Sequence, residues 1–405
     1  MSTSPHSSAV QRPFFTALTL SLGAAVSLGL TRFSYALLLP PMRSDLDWSY
    51  FLAGAMNTGN ALGYLIGALL TPALMRRLGA QKTLIGGCLL AAAFMLWSGF
   101  ETHTSLLMAQ RILAGIASAF VFIAGGVLAA RLGSLHPQRA GLLIGLYYGG
   151  VGIGIALSAL LVPLTLTAAL GAGAAHHWQW AWLVLGVLCL LATTLMAAPA
   201  ASIDGTPAAA GSGGRFRSRP FAFGLAGYFM FGVGYIGYMT FVIALLKEQG
   251  MGAPMTTLFF TALGLAVVAS SRIWAGMLDR FKGGESLAIL NGLLGVAILL
   301  PALSAAPLVS FASGLLFGAV FLSLVASTTA LVRHNLPPQA WSAGISAFTI
   351  VFAFGQIVGP VIVGWIADGA GGLQRGFLYS SAALFIGALL AWRQRPLAPQ
   401  ESAGM

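Results

Sequence analysis

Three arginines stand inside long apolar stretches of this 405-residue sequence: Arg32, Arg111 and Arg272. Each costs roughly 2.5–3.5 kcal/mol at the centre of a membrane-spanning helix on insertion scales, so such a residue marks function by default. At about 1.5 Å per residue, Arg32 lies roughly 12 Å below the outer end of its stretch and Arg111 roughly 9 Å below that of its own. Arg272 lies roughly 8–9 Å from an inner end. A guanidinium presents a planar fork that engages two oxygens of a carboxylate or phosphate at once. No acid sits mid-stretch to oppose them: Asp45, Asp47, Glu101, Asp204, Glu248, Asp279, Glu285, Asp368 and Glu401 all fall in predicted loops, tails or helix ends. Buried cations without buried anions favour a small organic anion such as a carboxylate, and weaken both a carboxylate proton relay and an amine substrate. Arg32 is expected as the main anion contact, Arg272 as an inner-gate or second contact, and Arg111 as a coupling or positioning group. Bracing roles compete: Arg111 also suits the capping of helix carbonyls, and Arg272 suits a side chain that reaches the interface.

Polar and aromatic residues at helical spacing extend this candidate site. Asn57, Asn60 and Tyr64 recur on one face of the second stretch, and Arg32 and Tyr35 share a face of the first. Tyr235 and Tyr238 pair in the same way, while Tyr147, Tyr148 and Gln356 sit inside later stretches. A tyrosine offers an apolar wall with a hydroxyl at its tip. The substrate-binding set is thus Arg32, Tyr35, Asn57, Asn60, Tyr235, Tyr238, Arg272 and Gln356, with Arg111 and Tyr147 as coupling or positioning residues. Interhelical hydrogen bonding is the competing use of the polar members. His176-His177-Trp178, with Trp180 and Trp182, reads as an interfacial aromatic belt, because no third metal ligand is near. Cys88 and Cys189 lie in apolar runs and imply neither a disulfide framework nor a metal site. No Gly-x-x-x-x-Gly-Lys-Ser/Thr loop occurs, so direct ATP drive is not expected, nor is any cofactor.

The elements that position these residues follow from composition. Charged residues are 7% of the chain, against about 25% in an ordinary soluble domain. Hydrophobic residues are 58% and mean hydropathy is +0.88, which excludes a cytosolic enzyme, a nucleic-acid-binding module and a disordered chain. Twelve apolar runs long enough to span a bilayer are predicted, near 14–40, 49–71, 83–100, 105–130, 139–163, 179–198, 220–246, 255–277, 286–303, 307–332, 339–367 and 373–392. The first is too long for a signal-peptide core and is expected to be retained. With the N-terminus in the cytoplasm, fourteen Lys and Arg fall on the inner side, Arg215 among them, and only Arg43, Lys247 and Arg375 fall outside. That asymmetry sets a multi-pass protein in the bacterial inner membrane with both termini cytoplasmic. It also accounts for the net charge of +11 without a nucleic-acid partner.

The expected organisation is a tail (1–13), a six-helix bundle (14–198), a cytoplasmic linker (199–219), a second six-helix bundle (220–393) and a tail (394–405). The halves repeat at an offset of 203: Gly29 falls on Gly232, Tyr35 on Tyr238, Arg77 on Arg280 and Gly115 on Gly318. After a slip the offset is 201, pairing Leu135, Pro137, Gln138 and Gly154 with Leu336, Pro338, Gln339 and Gly355. Glycines spaced by four, such as Gly59, Gly63 and Gly67, allow close helix approach, either as static packing or as surfaces on which the halves rock.

Several motifs resemble the major facilitator superfamily. The loop Leu74-Met-Arg-Arg-Leu-Gly-Ala-Gln-Lys82 and its mate Gly276-Met-Leu-Asp-Arg-Phe-Lys282 are similar to the family's acidic-then-basic loop signature, with Arg76 where the first copy has Asp. Arg111-Ile-Leu-Ala-Gly115 resembles its fourth-helix signature, and Gly355-Gln-Ile-Val-Gly-Pro360 its eleventh helix. Gly29-Leu-Thr-Arg-Phe-Ser-Tyr35, running on to Pro40-Pro41, narrows the likeness to the YbfB/YjiJ-type bacterial members. The resemblance implies an all-α fold of twelve transmembrane helices, a monomer, and secondary transport by alternating access. It places Arg76, Arg77, Asp279 and Arg280 in cytoplasmic gating loops. Arg272-Ile-Trp-Ala-Gly276 resembles the eighth helix of carboxylate carriers, with Ile273 where those often have Pro. A proton-coupled multidrug or metabolite exporter is the rival within transport, although Gly149-Gly150-Val-Gly-Ile-Gly154 lacks the proline of the usual exporter motif. A non-transporting sensor or scaffold is the remote rival, and it would normally carry a soluble domain.

Overall fold

The computed structural model describes residues 12–203, 216–337 and 340–397. Arg215, Pro338, Gln339 and most of both tails and of the linker lie outside the described residues. Among the described residues, twelve helices are long and apolar enough to cross a membrane. In order they are α1 (Pro13–Asp45), α2 (Tyr50–Leu78), α3 (Ala80–Ser98), α4 (Thr104–Leu135), α5 (Ala140–Gly171) and α6 (His177–Ala201) in the first bundle. The second bundle holds α7 (Ala222–Glu248), α8 (Ala253–Arg280), α9 (Glu285–Leu303), α10 (Pro307–Asn335), α11 (Trp341–Ala367) and α12 (Gly372–Trp392). Large apolar side chains such as Leu69, Leu164, Leu195, Trp365 and Leu389 are exposed around the outside, where acyl chains cover them in a bilayer. This is a multi-pass membrane protein.

The ends of the helices sort into two faces. On one, which we call the linker face, Gln81 donates to the Ile203 carbonyl, Arg139 lies over the Phe14 ring, and Leu397 N donates to Asn335 Oδ1 at 2.6 Å. On the opposite, distal face, Trp178 Nε1 donates to Asp45 Oδ2 at 2.5 Å, with His176 Nδ1 2.6 Å from the same oxygen. Beside them Trp48 Nε1 donates to Thr104 Oγ1 at 3.0 Å. Asp45 and the aromatic belt thus tie α1 to α6.

Inside each bundle the repeat acts as packing. A Cβ on Gly29 would come within 2.6 Å of Gly154 Cα, and one on Gly232 within 3.1 Å of Gly355 Cα, so α1 crosses α5 as α7 crosses α11. Likewise Gly115 admits the Asn60 carbonyl and Gly318 the Leu263 carbonyl, again 203 residues apart (263 − 60, 318 − 115). The Gly59, Gly63 and Gly67 stripe faces Met108, Ile112 and Ile116 of α4, within its own bundle. The glycines that let one bundle approach the other are different ones: Gly54 and Gly364 between α2 and α11, Gly152 and Gly264 between α5 and α8.

Helix α1 departs from regular winding. Residues Ala25–Phe33 of α1 form a π-helical stretch, closed by Ser34 N donating to the Gly29 carbonyl at 3.1 Å. Wide turns of this kind occur frequently at functional sites. Its repeat mate in α7 is ordinary α-helix throughout. Arg32 lies inside the stretch.

Candidate functional site

Arg32 is 2% exposed and Arg111 is 4% exposed, so both are buried among the helices. Arg32 reaches across to the second bundle, where Nη2 donates to Gln356 Oε1 at 3.0 Å. Gln356 Nε2 in turn donates to the Tyr235 hydroxyl at 2.5 Å. Tyr235 is Arg32's repeat mate (32 + 203 = 235), so one glutamine on α11 joins equivalent positions of α1 and α7. Tyr64 of α2 sits 5.9 Å from the Arg32 guanidinium carbon, within cation–π range. Arg32 Nε has no hydrogen-bond partner among the described residues.

Arg111 braces the first bundle. Its Nη1 donates to the Thr31 carbonyl in the wide stretch at 2.8 Å, and its guanidinium lies 4.8 Å from the Tyr35 ring and 5.7 Å from that of Trp182. Nε and Nη2 stay unpaired. Tyr35 donates its hydroxyl to the Ala53 carbonyl at 2.9 Å, pinning α1 to α2. Asn60 Nδ2 donates to the Arg111 carbonyl at 3.0 Å, whereas Asn57 Nδ2 crosses to Thr240 Oγ1 of α7 at 2.6 Å. Both asparagines keep an unpaired, buried Oδ1. No carboxylate contacts either arginine among the described residues. Two cations with free donors thus stand where desolvation makes an unmatched charge costly.

Other expected site residues lie elsewhere. Arg272 is exposed, because α8 breaks at Trp274 and leaves it in the last turn before the break, close to the linker face. Tyr238 turns into its own bundle: its hydroxyl is 2.8 Å from Ser313 Oγ, and its ring stacks on Phe317 at 4.4 Å. Tyr147 is a packing residue, donating to the Phe122 carbonyl at 2.9 Å with its ring filling the space left by Gly125. Arg76, Arg77, Asp279 and Arg280 are exposed near the linker face and form no ion pair among the described residues.

The bonds that join the bundles run from this network toward the distal face. Thr58 Oγ1 donates to the Ile357 carbonyl at 2.7 Å. Beyond it the Asp368 carboxylate, at the end of α11, accepts from Tyr50 N at 2.7 Å and Phe51 N at 2.8 Å. These are the first amides of α2, which have no partner inside the helix. Ser49 Oγ takes the third, from Leu52 N at 3.1 Å. The Tyr50 hydroxyl bonds to Glu248 of α7, and Arg43 lies 3.8 Å over the Tyr50 ring. In the sequence Asp368 and Glu248 read only as helix-end acids. The Ser49-Tyr50 junction, a serine just before an apolar run, was the available signal. Next to this seal, an apolar cavity of about 370 Å³ opens between α1, α5, α7 and α8, lined by Leu37, Pro40, Pro163 and Ile243 with Lys247 and His177 at its polar edge.

Over residues 24–392 the sequence matches the family described as "Uncharacterised MFS-type transporter YbfB". The chain belongs to this major facilitator family. Among solved structures, a bacterial homologue of the human lysosomal transporter Spinster, inward-facing and unoccupied, is similar at 14% identity and a TM-score of 0.71, covering 97% of each chain. The nucleoside transporter NupG is similar at 14% identity and a TM-score of 0.68, with 96% of this chain and 99% of that one covered. The E. coli fucose:proton symporter FucP follows at 15% identity and a TM-score of 0.60, with 95% and 98% covered. At these identities the likeness establishes the fold. Among proteins with curated descriptions, none matches the sequence. Like the members of its family, the chain is a transporter of major facilitator architecture.

Proposed function

We propose that this transporter carries a small organic anion, a carboxylate, by alternating access between its two bundles. The observation that carries the reading is the pair of buried guanidinium groups, Arg32 and Arg111, with unpaired N–H donors and no counter-charge. A carboxylate supplies the missing charge and accepts two donors at once. Arg32 is the principal contact, because it already spans the bundles through Gln356. Asn57 and Asn60, each with a spare buried acceptor, line the same region and take ligand hydroxyls or amides. Arg111 positions Arg32 by holding the Thr31 carbonyl of the wide stretch. Arg272, exposed near the linker face, is an entry contact rather than part of the binding set.

The linker face is the cytoplasmic one, from the excess of Lys and Arg there, in a bacterial inner membrane. The hydrogen bonds from Asn57 to Asp368 hold α2 to α7 and α11 on the distal side. The protein acts as a monomer. A second reading, export of apolar compounds, draws on the apolar distal cavity.

The test is a melting-temperature screen of purified protein against carboxylates, sugar phosphates, neutral sugars, amines and lipophilic cations, with Arg32→Gln beside the wild type. A ligand that binds only the folded protein raises the melting temperature in proportion to the logarithm of its concentration. Stabilisation by acids, lost in Arg32→Gln, is the expected result. Stabilisation by lipophilic cations alone would favour the exporter.

A further inference from the structure

The repeat lets each position of the site be compared with its mate, and the two bundles differ in kind. Where the first has Arg32 and Asn57, the second has Tyr235 and Phe260 (offset 203). Where the second has Phe231, Phe321 and Phe352, the first has Leu28, Ser118 and Val151 (offsets 203, 203 and 201). The buried Arg32, Arg111, Asn57 and Asn60 belong to the first bundle, where Tyr64 is the ring beside Arg32, and the parallel ring cluster, with Gln356 next to it, belongs to the second. Two helices descended from one pattern would be expected to share their packing residues, so the ring side is a specialisation rather than a packing requirement of the fold.

Four rings, Tyr228, Phe231, Tyr235 and Phe352, lie close to one orientation, with Phe321 tilted 48° from Phe231. Phe231 and Phe352 lie 5.1 Å apart with planes 12° from parallel, Phe352 and Tyr235 5.6 Å apart at 17°, and Phe231 and Tyr235 4.7 Å apart at 26°. Tyr228 continues the stack at 4.9 Å from Phe352. Phe231 and Tyr235 are fully buried, whereas Phe352 is only partly so. Phe352 thus lies against all three of the other rings and is the partly exposed member of a set whose Phe231 and Tyr235 are buried. The Tyr235 hydroxyl is held by the glutamine that also holds Arg32.

We infer that the anion is an aromatic carboxylate, its ring placed against the Phe352 stack and its carboxylate on Arg32. This rests on the anion reading above and adds to it the part of the ligand that the second bundle grips. Offset stacking on the face of an existing ring is favourable beyond the area it buries. A saturated ring of the same size buries similar area without a flat π-face, so the two classes are separable by one comparison. A sugar would leave the ring wall without polar partners, and a long aliphatic acid would gain nothing from its planarity.

The experiment is a competition series on the purified full chain in detergent, with benzoate, cyclohexanecarboxylate, hexanoate, succinate and benzamide as probes. Wild type, Arg32→Gln and Phe352→Leu are compared, the last keeping apolar bulk without a ring. Benzoate is expected to bind about 3- to 10-fold more tightly than cyclohexanecarboxylate, the ratio that one stacking contact supplies. Phe352→Leu should bring that ratio to about one while both acids still bind, and benzamide should bind to none of the three proteins. Equal binding of benzoate and cyclohexanecarboxylate by the wild type overturns the aromatic inference and leaves the anion reading standing, as does preference for succinate. Binding of no acid, or binding unchanged in Arg32→Gln, overturns both.

Discussion

Asp368→Ala is expected to open the distal face. In the present conformation the Asp368 carboxylate takes the first two amides of α2 from the other bundle, at 2.7 and 2.8 Å. Removing a side chain that caps a helix N-terminus costs about 0.5–2 kcal/mol, and the charge adds about 0.3–1 kcal/mol against the helix dipole. The site borders water, which replaces part of the loss, so about 1–2 kcal/mol is a fair figure for the closed state. Once the bundles part at this face, Tyr50 N and Phe51 N bond to water in wild type and variant alike. The whole loss therefore appears as a shift in the closed-to-open equilibrium, roughly 5- to 30-fold toward open. Spin labels at Phe100 and Leu308, 75% and 83% exposed on the distal side of opposite bundles, report it as a growing long-distance population. The native Cys88 and Cys189 are fully buried and will not compete for label. Asp368→Asn, which keeps an acceptor and loses the charge, should fall between. A distance distribution that is unchanged in Asp368→Ala, or that moves to shorter values, refutes the latch.

Tyr235→Phe should weaken ligand binding by freeing Gln356 Nε2, while Tyr238→Phe should leave binding unchanged and cost about 1 kcal/mol of stability, that of one lost buried hydrogen bond. Titration of both variants against the same acid separates them. Arg32→Met should hold or raise the melting temperature while abolishing anion binding, because an uncompensated buried charge is replaced by an apolar chain. A fall of many degrees with binding intact would contradict the role given to Arg32. Gly29→Ala and Gly232→Ala should each cost about 1–3 kcal/mol by overpacking a helix crossing, whereas Gly141→Ala, with nothing within 4 Å, should cost nothing; detergent melting curves decide. The Glu101 carboxylate is held below the usual range, chiefly by the His103 amide and then by the His103 ring. A folded-state value below the unfolded one gives stabilisation that is present above about pH 4.3 and fades as pH falls through the folded value. The protection of the His103 amide against exchange, relative to an unprotected amide at the same pH, should therefore fall in acid, and Glu101→Gln should remove that dependence.

Hydropathy and length made the twelve spans legible, because lipid demands some twenty apolar residues per crossing. The repeat was legible because the small residues at helix crossings recur in register, and Gly29–Gly154 and Gly232–Gly355 prove to be the same joint built twice. Arg32 and Arg111 could be read as buried because apolar sequence surrounds them. Arg272 looked the same, yet α8 breaks at Trp274 without a glycine or proline to announce it. Tyr235 and Tyr238, three apart, differ by about 60° around a helix, and which of them meets the other bundle is set by tertiary packing. The Asp368 latch was hidden for another reason. Its partners are backbone amides, which every helix start possesses and no residue letter records.

The wide stretch of α1 makes that helix a screw with two threads. Moving one hydrogen bond from the i→i+5 to the i→i+4 pattern at the end of Ala25–Phe33 swivels everything beyond it. The part that swivels carries Tyr35, whose hydroxyl holds α2, Arg43, which covers the Tyr50 ring, and Asp45, which holds Trp178. Arg111, bonded to the Thr31 carbonyl, is the pawl on this thread. Rewinding α1 would therefore convert a change at the arginines into a twist at the distal seal, carried to α2 through Tyr35 and to α6 through Asp45.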